Sequence, residues 1–213
     1  MSAKVAVMLD AAYVLKRLYV LLGRQHAASS DVLAFAHACV KQDEELFRIY
    51  VYDCPPSKMK VTNPISKKKI DLAASPVAQR LTGLQDNLAI ADHVAFRKGE
   101  LAFSGWKLKA GVTSKLATQS CAASDLVVDL KQKGVDMKIG LDIAWLSSKR
   151  IVDAIILATG DTDFVPAMKF ARREGVRVIV VSMGQANPTV SMRTHADEVR
   201  SVSYPPSPAG ATA

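Results

Sequence analysis

The sequence predicts an α/β fold with a central, mostly parallel sheet. Short runs at residues 5–9, 152–158 and 176–181 consist almost entirely of apolar residues, which is typical of parallel strands buried on both faces. From residue 124 onwards such runs alternate with segments of helical periodicity. This βαβ order requires a parallel sheet with helices on both faces.

Length and composition favour one large folded domain. The chain has 213 residues, of which 49% are hydrophobic and 23% charged, so a mostly disordered chain is excluded. We expect residues 1–203 to form the domain and residues 204–213 to be a flexible tail. The formal net charge is +8, which favours an anionic partner such as nucleic acid.

The cysteine spacing and the hydropathy pattern exclude several classes of protein. The three cysteines are far apart, and no histidine stands at zinc-ligand spacing, so neither a zinc site nor a disulfide framework is indicated. This usage is typical of the reducing cytoplasm. Asp10 interrupts the first apolar run, which therefore predicts a strand and not a signal peptide. No apolar segment is long enough to cross a membrane.

The first part of the chain opens with the predicted strand 5–9, and the region at residues 55–121 is expected to be an insert. Its segment 55–69 has three prolines, five lysines and no acidic residue, which predicts an exposed loop. Residues 95–109 predict a hairpin that turns at residues 97–100. The other elements expected here are helices at 12–22, 30–40 and 76–91 and a strand at 46–52.

The second part of the chain predicts three helices and three strands. Ser124 and Gly134 favour the start and the end of the first of these helices. The predicted order is helix 125–132, strand 135–139, helix 141–148, strand 152–158, helix 162–173 and strand 176–181.

Carboxylates follow several predicted strands. Asp10 ends the first strand, Asp161 and Asp163 follow strand 152–158, and Asp142 lies just inside the helix after strand 135–139. Ligands of open parallel sheets bind at the carboxyl ends of the strands, so we expect these four acids to converge. A site made only of carboxylates suits Mg²⁺ or Mn²⁺, which can activate water for attack on a phosphodiester.

Helix capping is the alternative role for these acids. An aspartate directly before a helix is a common N-cap, and taken singly each acid fits that role about as well. Acids at several separate strand ends are harder to explain by capping alone.

The later segments resemble a known family. The stretches KGVDMKIGLD at 133–142, DAIILATGDTDFVP at 153–166 and GVRVIVV at 175–181 are similar to the NYN domain family of PIN-like, metal-dependent ribonucleases. The resemblance implies a PIN-like three-layer fold with Asp10, Asp142, Asp161 and Asp163 as catalytic and metal-binding residues. Asp136 also matches a family acid, but its place in the middle of a predicted strand makes it a weaker candidate.

Two further positions bear on the same resemblance. The family usually has Asn three residues after the first Asp, and this chain has Tyr13 there, which puts the efficiency of catalysis in question. Thr159 matches a position that usually holds a small hydroxyl residue. It is expected either to bond a site carboxylate or to be an ordinary β-branched strand residue.

Basic residues predict a nucleic-acid interface. Three candidates, Lys67, Lys68 and Lys69, lie in the predicted loop, and three others, Arg97, Lys107 and Lys109, lie around the predicted hairpin. Solvation of a mobile loop is the alternative for the lysine run. Trp106 is expected either to stack on an unpaired base or to pack on the sheet.

The sequence thus predicts a divalent-metal-dependent ribonuclease that uses Mg²⁺ or Mn²⁺. A non-catalytic RNA-binding regulatory protein and a DNA-directed nuclease are the alternatives, because recognition of the 2′-hydroxyl cannot be deduced from residue types. We expect RNA as the partner, no membrane association and a cytoplasmic location. The sequence leaves open whether the protein forms a homo-oligomer.

Overall fold

A computed structural model describes residues 2–112, 120–184 and 187–205. Its centre is a six-stranded sheet in which every neighbouring pair is parallel, so the predicted α/β class is confirmed. The strands are β1 (Ala3–Asp10), β2 (Glu44–Asp53), β5 (Val94–Lys98), β8 (Ala154–Ala158), β9 (Arg177–Met183) and β10 (Glu198–Val202). Their order across the sheet is β10-β9-β8-β1-β2-β5.

Helices cover both faces of this sheet and give the three layers that the family resemblance implies. In β1, Val5, Val7 and Leu9 belong to one core, whereas Ala6 and Met8 belong to the other. This alternation follows from the two-residue period of a strand. The first core is closed by α1 (Ala11–Leu21), α2 (Ser29–Ala38) and α3 (Pro76–Ala89), and the second by α4 (Val135–Ser148), α5 (Val165–Arg173) and α6 (Val190–Thr194).

The hairpin predicted to turn at residues 97–100 is wrong. β5 pairs with β2 in the main sheet, whereas β6 (Glu100–Leu108) pairs with β7 (Leu126–Lys133) in a separate antiparallel ribbon. Gly99 separates the two strands and lies tightly against Val135 and Cys54, where a Cβ atom would come within 2.6 Å of Val135 Cγ2 and 2.8 Å of Cys54 Sγ. The chain therefore leaves the sheet at Gly99 instead of folding back on β5.

The helix predicted at 125–132 is also wrong, because this segment is β7. Its apolar residues Leu126, Val128 and Leu130 recur every second position, which is a strand period, and they pair with Leu108, Trp106 and Phe103 of β6. The predicted strand 135–139 is the beginning of α4, whose buried side chains Val135, Ile139, Ile143 and Leu146 follow a helical period.

The lysine-rich segment at 55–69 is more ordered than the expected loop. It contains β3 (Lys60–Thr62), which pairs antiparallel with β4 (Lys69–Asp71). Buried Asn63 organises the turn between them, since its Oδ1 accepts hydrogen bonds from the backbone N–H groups of Ile65 and Ser66.

Parts of the expected insert and tail lie outside the described residues, namely 113–119 and 206–213. Tyr204, at the start of the expected tail, donates a hydrogen bond from its hydroxyl to Asp31 Oδ1 at 3.0 Å. Within the described ranges, no helix has the length and apolar character that crossing a membrane requires.

Candidate active site

The strand order reverses between β1 and β8. From β1 the chain moves outwards through β2 to β5, and it then returns to β8 on the other side of β1 and continues to β9 and β10. Such a switch point opens a crevice at the carboxyl ends of the two central strands. Asp10 ends β1, and Asp161 follows β8 after Thr159 and Gly160.

Thr159 links the two strand ends directly. Its side chain is only 1% exposed, and its hydroxyl donates a hydrogen bond to Asp10 Oδ2 at 3.0 Å. The Thr159 hydroxyl oxygen in turn accepts a hydrogen bond from the backbone N–H of Asp161 at 3.2 Å. The hydroxyl of Thr159 therefore links two strand ends, which a β-branched strand residue without a hydroxyl could not do.

Asp10 combines helix capping with a place in this crevice. It is the N-cap of α1, where its Oδ1 accepts the backbone N–H of Tyr13 at 3.4 Å. Burial raises the pKa of Asp10, the hydrogen bonds from Thr159 and the backbone partly oppose the rise, and the charge of Asp161 adds to it. The capping role of Asp10 and its place in the crevice thus coexist in one residue.

Asp161 and Asp163 stand together on the turn between β8 and α5. Asp161 Oδ1 accepts the backbone N–H of Asp163 at 2.9 Å, so Asp161 caps the short 3₁₀ turn at residues 162–164. Both acids are exposed. The cap fixes the first carboxylate and leaves both acids accessible to a ligand.

Asp136 joins this group from a third segment. It lies in the first turn of α4, and not in the middle of a strand, because the strand predicted at 135–139 is helical. Partial burial raises its pKa, and the charges of Asp161, Asp10 and Asp163 raise it further. We call Asp10, Asp136, Asp161 and Asp163 the carboxylate cluster.

Asp142 is placed elsewhere. Asp142 was expected near the strand ends because a strand was predicted at 135–139. That segment is the start of α4, and Asp142 lies six residues after Asp136 in the same helix. There Arg97 holds it in a two-pronged ion pair, with Nε 2.9 Å from Oδ2 and Nη2 3.0 Å from Oδ1. The Tyr52 hydroxyl donates to the same Oδ2 at 2.9 Å. The charges that raise the pKa values of Asp10 and Asp136 come from the cluster and do not include Asp142.

Sequence reasoning missed Asp53, a fifth acid near the crevice. It ends β2 beside β1 and is 7% exposed, and its oxygens accept hydrogen bonds from Cys54 N–H and from Gln85 Nε2. Burial raises the pKa of Asp53, and the charge of Asp10 contributes to the rise. The strand-end position that singled out Asp10 would also have identified Asp53.

Tyr13 occupies the space above Gly160. A Cβ atom at position 160 would lie 2.8 Å from Cε2 and 2.9 Å from Cδ2 of the Tyr13 ring. Burial raises the pKa of the Tyr13 hydroxyl, Arg17 opposes this change and Asp10 supports it. The aromatic ring therefore forms one wall of the crevice, next to the turn that carries Asp161.

The chemistry of the cluster fits a hard divalent cation. It consists of carboxylates without histidine or cysteine, and the mutual repulsion of its charges would be relieved by a cation. Within the described parts of the chain, however, no three acidic, histidine or cysteine side chains are close enough together to hold one metal ion. Binding would require the exposed acids to adjust their side-chain rotamers.

The predicted nucleic-acid contacts have different surroundings. Lys67, Lys68 and Lys69 are exposed on the β3–β4 hairpin, and Lys109 is exposed after β6. Lys107 forms an ion pair with Asp129 at 2.8 Å across the ribbon, and Arg97 is bound to Asp142. Trp106 is half-buried on the apolar face of the ribbon, opposite Val128.

Comparisons with known proteins find one similar fold and one matching family. Among solved structures, a protein of unknown function from Vibrio parahaemolyticus is similar in fold, with a TM-score of 0.50 and 16% sequence identity over 95% of this chain and 93% of that chain. The comparison with curated proteins finds no match. The NYN domain matches residues 4–203. Because this match spans nearly the whole chain, the protein belongs to the NYN domain family, a family of PIN-like nucleases.

Proposed function

We propose that the protein is a divalent-metal-dependent ribonuclease that hydrolyses RNA phosphodiester bonds at the carboxylate cluster. The observation that carries this proposal is the link Asp10–Thr159–Asp161, which joins the ends of the two central strands at the switch point. Asp136 and Asp163 complete a group of acids drawn from three separate segments.

The acids of the carboxylate cluster would differ in role because they differ in burial and in hydrogen bonding. Asp10 is held by Thr159 and by the first turn of α1, so its carboxylate has a fixed orientation. Asp161 is exposed and is held by its cap, whereas Asp136 and Asp163 are exposed and can turn towards a ligand. Together they would hold Mg²⁺ or Mn²⁺, which would supply positive charge to the phosphodiester and make a nearby water more acidic.

RNA is the proposed substrate because the chain is strongly basic and its nuclease family acts on nucleic acid. The phosphates of an RNA strand would be attracted by the exposed lysines of the β3–β4 hairpin and by Lys109.

The test is cleavage of a labelled RNA oligonucleotide with Mn²⁺, with Mg²⁺ and with EDTA. Cleavage should need the metal, and Asp161→Asn should abolish it while RNA binding in EDTA is unchanged or tighter, since a negative charge has been removed. Asp86 is exposed on α3, so Asp86→Asn is the matched control and should cleave like the wild type. A labelled DNA strand of the same sequence distinguishes the DNA-directed alternative.

A non-catalytic RNA-binding protein is the second candidate. It is favoured by Tyr13, which fills the space over Gly160 at a position where the family usually has Asn. Binding of RNA without cleavage under any divalent ion would establish this alternative. Cleavage restored by Tyr13→Asn would assign the block to the aromatic ring.

A further inference from the structure

Helix α4 exposes a row of large apolar side chains. Met137, Leu141 and Trp145 are 71%, 61% and 53% exposed. They recur every fourth residue and so lie along one side of the helix, opposite the buried residues Ile139 and Ile143. An exposed apolar row of this kind is typical of a binding surface.

A row of cations runs beside the apolar row. Lys138 and Lys149 are both exposed and are eleven positions apart, so they lie on the same side of the helix about 16 Å from each other at a rise of about 1.5 Å per residue. Arg97 lies between them, because its guanidinium is anchored on Asp142. Lys138 also bonds through its ammonium group to the backbone oxygen of Lys98.

An open groove joins this surface to the edge of the sheet. It has a volume of about 440 Å³ and lies between β5 and α4, with Arg97, Lys98, Lys138 and Leu141 among its lining residues. Both walls thus carry cationic and apolar side chains, with Arg97, Lys98 and Phe96 on the β5 side and Lys138 and Leu141 on the α4 side. The carboxylate of Asp142 also lines the groove and is paired with Arg97.

We propose that this face binds single-stranded nucleic acid, with unpaired bases on Met137, Leu141 and Trp145 and phosphates along Lys138, Arg97 and Lys149. We call these six residues the α4 track. Proteins that bind single strands combine stacking side chains with a row of cations that follows the backbone, and the track has both in parallel. Bases paired inside a double helix could not reach the apolar row.

Charge decides between the occupants of the track. A second copy of the chain would bring the same lysines against each other, whereas a polyanion complements them. The direction of α4 supports the same occupant, because Asp136 of the carboxylate cluster lies in the first turn of the helix. The track therefore runs towards the end of the helix that carries Asp136, and this inference rests on the proposed function only in naming the strand as substrate.

Binding can be measured without catalysis. A fluorescein-labelled single-stranded RNA of about twelve nucleotides is titrated in EDTA, which keeps the strand intact. Trp145→Ala should weaken binding about tenfold, and Lys138→Ala with Lys149→Ala should reduce the slope of log K against log salt by about 1.4. Lys16→Ala is the control, because Lys16 is exposed on α1 at the opposite face of the sheet, and it should have a much smaller effect.

Tryptophan fluorescence gives a second, local measurement. The chain has two tryptophans, so Trp106→Phe leaves Trp145 as the reporter. The single strand should quench Trp145 in this variant, and a blunt RNA duplex of the same length should quench it much less.

Several results would overturn the proposal. Unchanged affinity in the Trp145 and lysine variants, or equal quenching by duplex and single strand, would exclude the track. A dimer in solution that Leu141→Asp dissociates would assign the apolar row to self-association instead. Cleavage that persists with full affinity in the track variants rejects the track and keeps the proposed function. Binding through the track without any cleavage would support the track and reject the proposed ribonuclease activity.

Discussion

The Thr159 hydroxyl donates a hydrogen bond to Asp10 Oδ2 at 3.0 Å and so connects the carboxyl ends of β8 and β1. This bond lowers the pKa of Asp10 against the effect of burial. Thr159→Val keeps the shape of the side chain and removes the donor. We expect the pKa of Asp10 to rise and the acidic limb of the pH–rate profile to move to higher pH.

The same substitution should lower the free energy of unfolding by about 1–3 kcal/mol, because it leaves a partly buried carboxylate oxygen without its hydrogen-bond donor. Thr159→Ser is the control, since it retains the hydroxyl. An identical pH profile in the Val and Ser variants would contradict the role assigned to Thr159.

Gly160 lies against the ring of Tyr13, where a Cβ atom would approach to 2.8 Å. Gly160→Ala should therefore destabilise the protein by about 1–3 kcal/mol through overpacking. In the double variant Gly160→Ala with Tyr13→Ala this penalty should largely disappear. Chemical denaturation of the four proteins in this double-mutant cycle measures the coupling, and additive effects would show that the ring moves aside freely.

Partial burial is the largest cause of the raised pKa of Asp136, and the negative charges of Asp161, Asp10 and Asp163 raise this pKa further. A group whose pKa is raised on folding destabilises the fold when it is ionised. Asp136→Asn should therefore raise the melting temperature of the metal-free protein. It should also reduce the further increase that Mn²⁺ produces in the wild type, because the variant has lost a ligand.

The control for this prediction is Asp86→Asn on α3. It should leave both melting temperatures near the wild-type values. A wild-type protein that Mn²⁺ does not stabilise would argue against the proposed metal site.

Arg200 forms the main buried ionic network. The Arg200 side chain is 6% exposed and that of Glu44 is 4% exposed, and the two groups bond through Nη1–Oε2 at 2.7 Å and Nη2–Oε1 at 2.8 Å. Glu198 bonds the same guanidinium. Arg200→Met should cost about 3–5 kcal/mol at neutral pH, because it leaves the buried carboxylate of Glu44 without its ion pair. Arg172→Met, which breaks the exposed pair with Asp197, should cost about 1 kcal/mol or less.

The pH dependence of stability follows from the same network. Hydrogen bonds from Arg200 lower the pKa of Glu198 to about 2, and for Glu44 the bonds from Arg200 and Lys41 N–H outweigh the effect of burial and also lower its pKa. A lowered pKa contributes stability above the ordinary glutamate value of about 4.3, and this contribution is lost as pH falls towards about 2. Urea denaturation between these limits should show a steep loss in the wild type and a flatter one in Arg200→Met.

Lys67, Lys68 and Lys69 are exposed on the β3–β4 hairpin. Their joint replacement by alanine should reduce the salt dependence of RNA binding, by a slope of about 0.7 for each phosphate contact that is lost. The fluorescence titration in EDTA measures this slope. An unchanged slope would mean that these lysines are only solvated.

The local features of this protein could be deduced from its sequence. Apolar runs predicted β1, β8 and β9 because a strand buried on both faces has no need of polar residues. The acids Asp10, Asp161 and Asp163 could be noticed because they directly follow such strands. Neither inference depends on which strands are neighbours.

Tertiary structure decided which distant segments meet. The chain leaves the main sheet at Gly99 and continues as β6, which pairs with β7. Segment 125–132, predicted to be a helix, is therefore a strand, because β6 satisfies its backbone hydrogen-bonding groups. With α4 beginning at Val135, Asp136 reaches the carboxylate cluster and Asp142 pairs with Arg97. Sheet pairing and helix packing are long-range interactions, and the periodicity of a single segment carries no information about its partner.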